Sequence, residues 1–300
     1  MTNGRKIDLA LEAKEFFEGS AEKTSRLSGV LAEEDTLFGL PLTRVNILDK
    51  RGETALGKPK GTYLTLDLPQ LPREREEILT TARAVAAMLE ELPDFPREGL
   101  VLVTGLGNRQ ITPDAIGPKT VDALQVTRHL VGTLPEPFSD LRPVAALAAG
   151  VAGTTGMESG EVIGALVKKL RPVCLIAVDA LAARRQERVC RTIQVADTGI
   201  VPGSGVGNAR MALNRKTLGI PVIAVGVPTV VDAGTLCMDL LEESGQEFDP
   251  SLFRAEGAEW FLTPRNVDNQ VAVLSRILGL GISTALHVDF SVEDVDNWTS

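Results

Sequence analysis

Histidine occurs twice in this chain of 300 residues and cysteine three times, basic side chains are outnumbered by acidic ones, and apolar runs such as Val144 to Val151 are too short to span a bilayer. Each shortage closes a route. A nucleophilic serine or cysteine needs a histidine base. Of His129 and His287, the first sits beside Arg128 at the end of a predicted helix, where a cation balances the helix dipole. No HExxH motif and no Cys/His cluster is present, so a catalytic zinc has no home and no cofactor is expected. Cys174, Cys190 and Cys237 are odd in number and lack CxxC spacing, which excludes a disulfide framework and reads as reduced thiols. A net charge of −9 repels a phosphate backbone, so no direct nucleic-acid binding is expected, while a peptide or protein substrate stays open. The charged opening MTNGRKIDLALEAKEFF is no signal peptide, so the expected location is cytoplasmic, away from the membrane.

What is present is an ordinary globular composition, 44% hydrophobic and 24% charged, on a chain long enough for one large domain or a core with an attachment. From Leu100 onward short β-branched runs end in glycine or acidic turns, and helical stretches follow. That rhythm predicts an α/β fold, a mostly parallel sheet with helices on both faces. Strands are expected at Leu100 to Thr104, Arg142 to Ala148, Val173 to Val178, Thr192 to Ala196 and Pro221 to Val227. Helices are expected at Asp114 to Leu130, Glu158 to Leu170, Asp232 to Glu243 and Arg265 to Leu280. Before residue 95 a hairpin-like pair, Thr43 to Asp49 and Gly61 to Asp67, and a helix over Arg73 to Leu92 form a smaller N-terminal α+β elaboration. The chain thus divides into a candidate propeptide (1–8), the elaboration (9–95) and an α/β core (96–300), in one compact unit.

Ligands of open parallel sheets bind beyond the carboxyl ends of the strands. Four acids are expected on that rim: Asp114 after the Gly105-Leu106-Gly107-Asn108 loop, and Asp179, Asp197 and Asp232 at strand ends. Carboxylates crowded on a desolvated rim repel one another, so that one holds a proton and another stays ionised, as amide hydrolysis requires. Against this, an acid after a strand is often a helix cap, and Asp114 behind Pro113 is a good cap candidate. Backbone N–H groups from Gly105 to Asn108 are candidate oxyanion donors, which makes Gly107 and Asn108 supporting residues. Gly52 to Lys58 imitates a phosphate loop, but Pro59 stands where the hydroxyl should be, and a hairpin turn is the better reading. Gly203 to Asn208 misses the dinucleotide spacing and is expected to be a loop shaping a cleft. Asp197-Thr198-Gly199 matches the triplet of pepsin-like proteases, yet it occurs once and in the wrong fold class.

Several ordered blocks carry a more specific signal: Gly105 to Asn108 with Thr112 to Pro118, Val126 to Leu130, Val178 to Arg184, Asp197 to Ile200 with Pro202 to Asn208, and Gly226 to Asp232. With these the chain resembles, from about Lys6 to Leu286, the germination proteases of spore-forming bacteria. The resemblance implies an endopeptidase that starts the hydrolysis of small acid-soluble spore proteins in the spore core. It also implies a homotetramer stored as a zymogen, with Asp114 and Asp179 as the catalytic pair. A more distant likeness to hydrogenase maturation proteases, whose carboxylates hold a metal, makes metal-dependent processing the alternative mechanism; a non-catalytic peptide-binding protein is the alternative from another class.

Substrates of the resembled family are cut after an acid that is followed by a large apolar residue, alanine, any residue and glutamate. Asp8-Leu9-Ala10-Leu11-Glu12 has this form. The resemblance therefore implies self-processing between Asp8 and Leu9, with this segment as a tethered substrate; the bland reading is the first turn of an amphipathic helix.

Overall fold

The computed structural model describes residues 7–20, 27–131, 141–203, 210–246, 249, 253 and 260–298. Ser204 to Asn208, where a cleft-shaping loop was expected, and residues 1–6 of the candidate propeptide lie outside the described residues. In chain order the elements are α1 (Ala10–Ser20), β1 (Val30–Leu37), β2 (Leu40–Ile47), α2 (Lys50–Leu56), β3 (Gly61–Asp67), α3 (Arg75–Glu91), β4 (Val101–Gly105), a 3-10 turn (Thr112–Asp114), α4 (Ile116–Asp122), β5 (Val144–Ala148), α5 (Ala152–Thr155), α6 (Ser159–Leu170), β6 (Cys174–Ala183), β7 (Thr192–Ala196), α7 (Arg215–Leu218), β8 (Val222–Asp232), α8 (Ala233–Glu243), β9 (Phe261–Leu262), α9 (Val267–Leu286) and α10 (Val292–Trp298).

One nine-stranded sheet runs in the order β1-β2-β3-β7-β8-β6-β4-β5, with β9 against the end of β8. The fold is α/β, and the β5-β4-β6-β8 half is parallel as expected. β7 corrects the expected strand direction: it pairs antiparallel with β8, and through β3 it carries the antiparallel β1–β3 elaboration as an extension of the same sheet. Alternate side chains serve two different cores, as period-2 geometry requires. Val101, Val103, Cys174, Ile176, Val178, Ile223 and Val225 join the core beneath α3, α4 and α9, whereas Leu102, Leu175, Ala177 and Val222 pack against Ile163 and Val167 of α6. With both faces covered, these strands read as continuous apolar runs in the sequence.

The helix expected over Asp114 to Leu130 stops at Asp122. Beyond it the chain turns to lie beside β5, where the N–H groups of Thr127 and Arg128 both donate to the Val144 carbonyl, a geometry no continuing helix allows. Consequently His129 sits in an exposed turn, not at a helix end. Gly52 to Lys58 forms neither a phosphate loop nor a bare hairpin turn. The Asp49 carboxylate accepts the Arg51 and Gly52 N–H groups and starts α2, and left-handed Gly57 ends it.

By length and composition α9 could cross a membrane, but 72% of its apolar window is buried within the protein. It is a core helix, packed between α3 and α4. Leu274 lies fully buried there, so Leu274→Ala is expected to lower stability by about 2–5 kcal/mol through lost burial and the cavity left behind. The urea midpoint should fall with little change in slope.

Candidate active site

β4 ends at Gly105, paired with Val178, while β6 runs on to Ala183. Asp179 is therefore the first β6 residue beyond the reach of β4, and it is 6% exposed. The chain leaving β4 folds back over this point. Leu106 N–H donates to the Val178 carbonyl at 2.8 Å, and the following loop turns at Gly107, whose φ of +104° suits glycine. A Cβ on Gly107 would come within 2.1 Å of the Asp114 carbonyl, and one on Gly117 within 2.5 Å of the Val178 carbonyl. Glycines at these two positions allow the Asp114 turn and the start of α4 to press directly on the backbone that presents Asp179.

The turn is fixed from two sides. Thr229 of β8 donates its hydroxyl to the Pro113 carbonyl at 2.6 Å, and the Thr112 hydroxyl donates to Asp268 of α9 at 2.7 Å. Asp114 is no helix cap, because the carboxylate accepts the Asn108 N–H at 2.6 Å and makes no cap bond to α4. This corrects the role expected for Asn108. Its N–H is committed to Asp114 and Leu106 N–H to Val178, so neither is free for an oxyanion; Asn108 positions Asp114, and Gly107 permits the close approach.

Asp197 leaves the expected rim, whereas Asp232 stays at the carboxyl end of β8 and serves there as a helix cap. Because β7 is antiparallel to β8, with Ala196 opposite Ala224, Asp197 lies toward the amino end of β8, away from the Asp179–Gly226 level. Its carboxylate accepts the Thr62 N–H at 2.8 Å and pins β3 to β7. Asp232 caps α8 by accepting from Thr235.

Asp114 and Asp179 thus stand close together, and their environments differ. Burial pushes the Asp179 carboxyl well above the usual carboxylate range, and the negative charges of Asp114 and Asp8 push it further, against its Ala180 N–H bond and the positive charge of Arg210. Burial also raises Asp114, opposed by the Asn108 N–H and Arg210. Among the described residues no group of three His, Cys, Asp or Glu side chains is placed to hold a metal ion.

The amino-terminal segment lies further along the same strand, β6. Past a bulge after Leu181, where β6 slips its register with β8, the Ala182 N–H donates to the Asp8 carboxylate at 2.9 Å and its carbonyl accepts the Asp8 N–H at 3.3 Å. Leu9, Ala10 and Glu12 are each 0% exposed. Ala10 N–H donates to Gln194 Oε1 at 2.8 Å, and the Glu12 carboxylate accepts the N–H groups of Arg184 and Arg185 at 2.7 and 3.0 Å. Burial pushes the Glu12 carboxyl up to about 7, although those two amides and Arg188 draw it down. Lys58 was missed as a site residue. Its ammonium is buried, which lowers its pKa against the charges of Asp8 and Glu12, and it lines a cavity of about 500 Å³ with Ile7, Asp8, Tyr63 and Gln194. Arg188 and Gln194 were missed as well; no motif marks them, since the three residues meet the segment through tertiary contacts alone.

A family model described as germination protease matches residues 10–249. The chain belongs to the germination protease family. A germination protease of Clostridium perfringens (strain ATCC 13124) is 41% identical over 321 aligned positions, covering 98% of this chain and 98% of that protein. One from Caldanaerobacter subterraneus subsp. tengcongensis is 46% identical over 241 positions, covering 80% of this chain and 73% of its own length. Among solved structures, a [NiFe] hydrogenase maturation protease, HycI from Thermococcus kodakarensis KOD1, aligns with a TM-score of 0.38 at 14% identity, over 67% of this chain and 98% of that one. That likeness is too loose to carry any residue across. Membership of the family makes the chain a peptidase.

Asp179 is expected to titrate above the usual carboxylate range in a carboxyl-resolved NMR experiment. Asp114→Asn should bring its midpoint down by on the order of one pH unit, because the nearest like charge is removed. An unmoved midpoint would mean that the two carboxyls do not sense each other.

Proposed function

We propose that this chain is the precursor of an endopeptidase that cuts itself between Asp8 and Leu9, and then begins the hydrolysis of small acid-soluble spore proteins during germination, within the spore core and as a homotetramer. The observation that carries the reading is the seat of Asp8. It is hydrogen-bonded to Ala182, three residues along β6 from Asp179, and charged strongly enough against Asp179 to raise its pKa. On this reading the peptide bond whose carbonyl belongs to Asp8 is the one presented to the carboxyl pair.

The environments support a division of labour. Asp179, the more deeply buried, is the group that holds a proton, and Asp114, partly open and bonded to an N–H, is the group that stays ionised. Asp114 removes a proton from water as the oxygen attacks the Asp8 carbonyl carbon. Asp179 gives its proton to the Leu9 nitrogen as the C–N bond breaks, leaving Asp179 ionised and Asp114 protonated until one proton returns. Because the two titrate as a pair, the observed pKa values belong to both.

Asp114→Asn and Asp179→Asn, each made in the full chain, should retain the native melting behaviour and lose self-processing by at least about a thousandfold, a loss typical of removing a group that acts in the transition state. Amino-terminal sequencing checks this: the wild type acquires a terminus at Leu9, and either variant doing so at a near-normal rate rejects the pair.

Docking of the segment should also depend on pH. The Glu12 carboxyl has its ordinary pKa of 4.5 when free and about 7 when docked. The docked state therefore binds the extra proton, so docking is strongest below about 4.5 and weakens as pH rises through about 7. Protection of the Ala10 amide against hydrogen exchange, measured in the Asp179→Asn chain, should fall between pH 5 and pH 8, and Glu12→Gln should remove that dependence.

A further inference from the structure

Resting on the reading above, we propose that Gln194 and Arg188 are specificity-determining residues, Gln194 holding the main-chain N–H of the second residue after the scissile bond, and Arg188, with the backbone N–H groups of Arg184 and Arg185, receiving an acidic side chain at the fourth.

The groove is built for a short stretch that passes from strand to helix. Asp8 pairs with Ala182 as a strand residue, and α1 starts two residues later, with the Ala13 N–H already bonded to the Leu9 carbonyl at 3.1 Å. A helical first turn leaves its leading N–H groups without partners of their own. Gln194, projecting from β7 and 8% exposed, takes the first of them, from Ala10. Ala10 is itself fully buried, so the N–H that Gln194 receives is shielded from water. Asp8 and Glu12 both turn to the end of β6, the first bonding the Ala182 N–H and the second the N–H groups of Arg184 and Arg185.

At the fourth position two N–H donors and one guanidinium charge converge on one carboxylate. The Arg184 N–H reaches one oxygen and the Arg185 N–H the other, a bidentate arrangement made by consecutive backbone amides. Arg188 stands 3.7 Å from the same group and is held there by Asp67 at 3.1 Å and Glu15 at 2.7 Å. The Arg184 guanidinium is occupied elsewhere, paired with Asp239 at 2.8 Å and lying 4.7 Å over the Phe16 ring. Among the groups around Glu12, Glu15 acts against its charge and Lys58 responds to it, so Arg188 is the side chain whose removal isolates the attraction. This spacing requirement belongs to the groove and would apply to any protein substrate that enters it.

The test uses the full chain. In the non-cleaving Asp179→Asn background, Arg188→Gln should reduce protection of the Ala10 amide at least tenfold at pH 8, where the acid is ionised, and leave it within twofold at pH 5, where it is protonated. Combined with Glu12→Gln, Arg188→Gln should have no effect at either pH. Gln194→Met should reduce protection at both. Equal losses at pH 5 and pH 8 in Arg188→Gln, or a loss that persists alongside Glu12→Gln, would make Arg188 merely structural and overturn the assignment. Unchanged Ala10 exchange in Gln194→Met would overturn the other half. These readouts need no catalysis, so absence of self-processing in the wild type would reject the proposed function while leaving the subsites to stand or fall separately. In processed wild-type enzyme, a peptide containing Glu-Phe-Ala-Ser-Glu should lose at least fivefold in kcat/KM at pH 8 on Arg188→Gln, and its counterpart ending in Gln should lose less than twofold; equal losses for both peptides would overturn the assignment for substrates.

Discussion

The site depends on β6 outrunning its neighbour. Where β4 stops at Gly105, β6 continues to Ala183, so its backbone must find new partners on the side β4 has vacated. The turn bearing Asp114 closes over the first exposed carbonyl, Val178, through the Leu106 N–H. The segment bearing Asp8 takes the next stretch, through Ala182. Two acids distant in sequence and a third from the amino terminus are drawn to one strand by the demand that its hydrogen-bonding groups be satisfied. Burial then separates their environments, since the acid on the strand itself is the one water reaches least.

The close approach rests on missing side chains as much as on those present. A methyl group at Gly107 or Gly117 would strike backbone oxygen, which cannot swing aside as a flexible side chain can. The ties from Thr229 and Asp268 hold the turn from the opposite face, so Asp114 is fixed by backbone and hydroxyl contacts before any substrate arrives. A carboxylate held by an N–H at 2.6 Å is oriented without being neutralised, which on the proposed reading suits a proton acceptor.

Much of this was legible in the residues. β-branched runs marked the parallel strands because strands covered on both faces must be apolar on both. Asp114 and Asp179 were two of the four acids that strand-end reasoning placed on the rim, and the family blocks singled them out as a pair. Asp197 shows where such reasoning stops: a strand between two turns has the same composition whichever way it runs. Only pairing with β8 reveals that β7 is antiparallel and that its terminal acid serves β3. The helix expected to reach Leu130 failed for a related reason, because the Val144 carbonyl at the start of β5 captures the Thr127 and Arg128 N–H groups and bends the chain away. Lys58, Arg188 and Gln194 carry no local signature, since their importance comes from what lies across from them in the fold.

On the proposed reading, the seat of the amino-terminal segment sets a further requirement. Cleavage after Asp8 would free the leader, yet Leu9, Ala10 and Glu12 remain on the enzyme's own chain, fully buried in the groove that a substrate must enter. Tethering keeps them at high effective concentration, so an incoming protein competes with them at a disadvantage. The cut itself changes that balance. It replaces an amide by an ammonium at Leu9, and burying a charge is costly unless it is paired. It also removes the strand-like Asp8 contact that anchored the segment beside the acid pair. What remains is the Gln194 bond and the Glu12 seat, and the latter weakens as its carboxyl ionises. Release of the product segment is thus coupled to the proton occupancy of one buried acid, so the contacts that align the bond for hydrolysis also determine when the groove opens to other proteins.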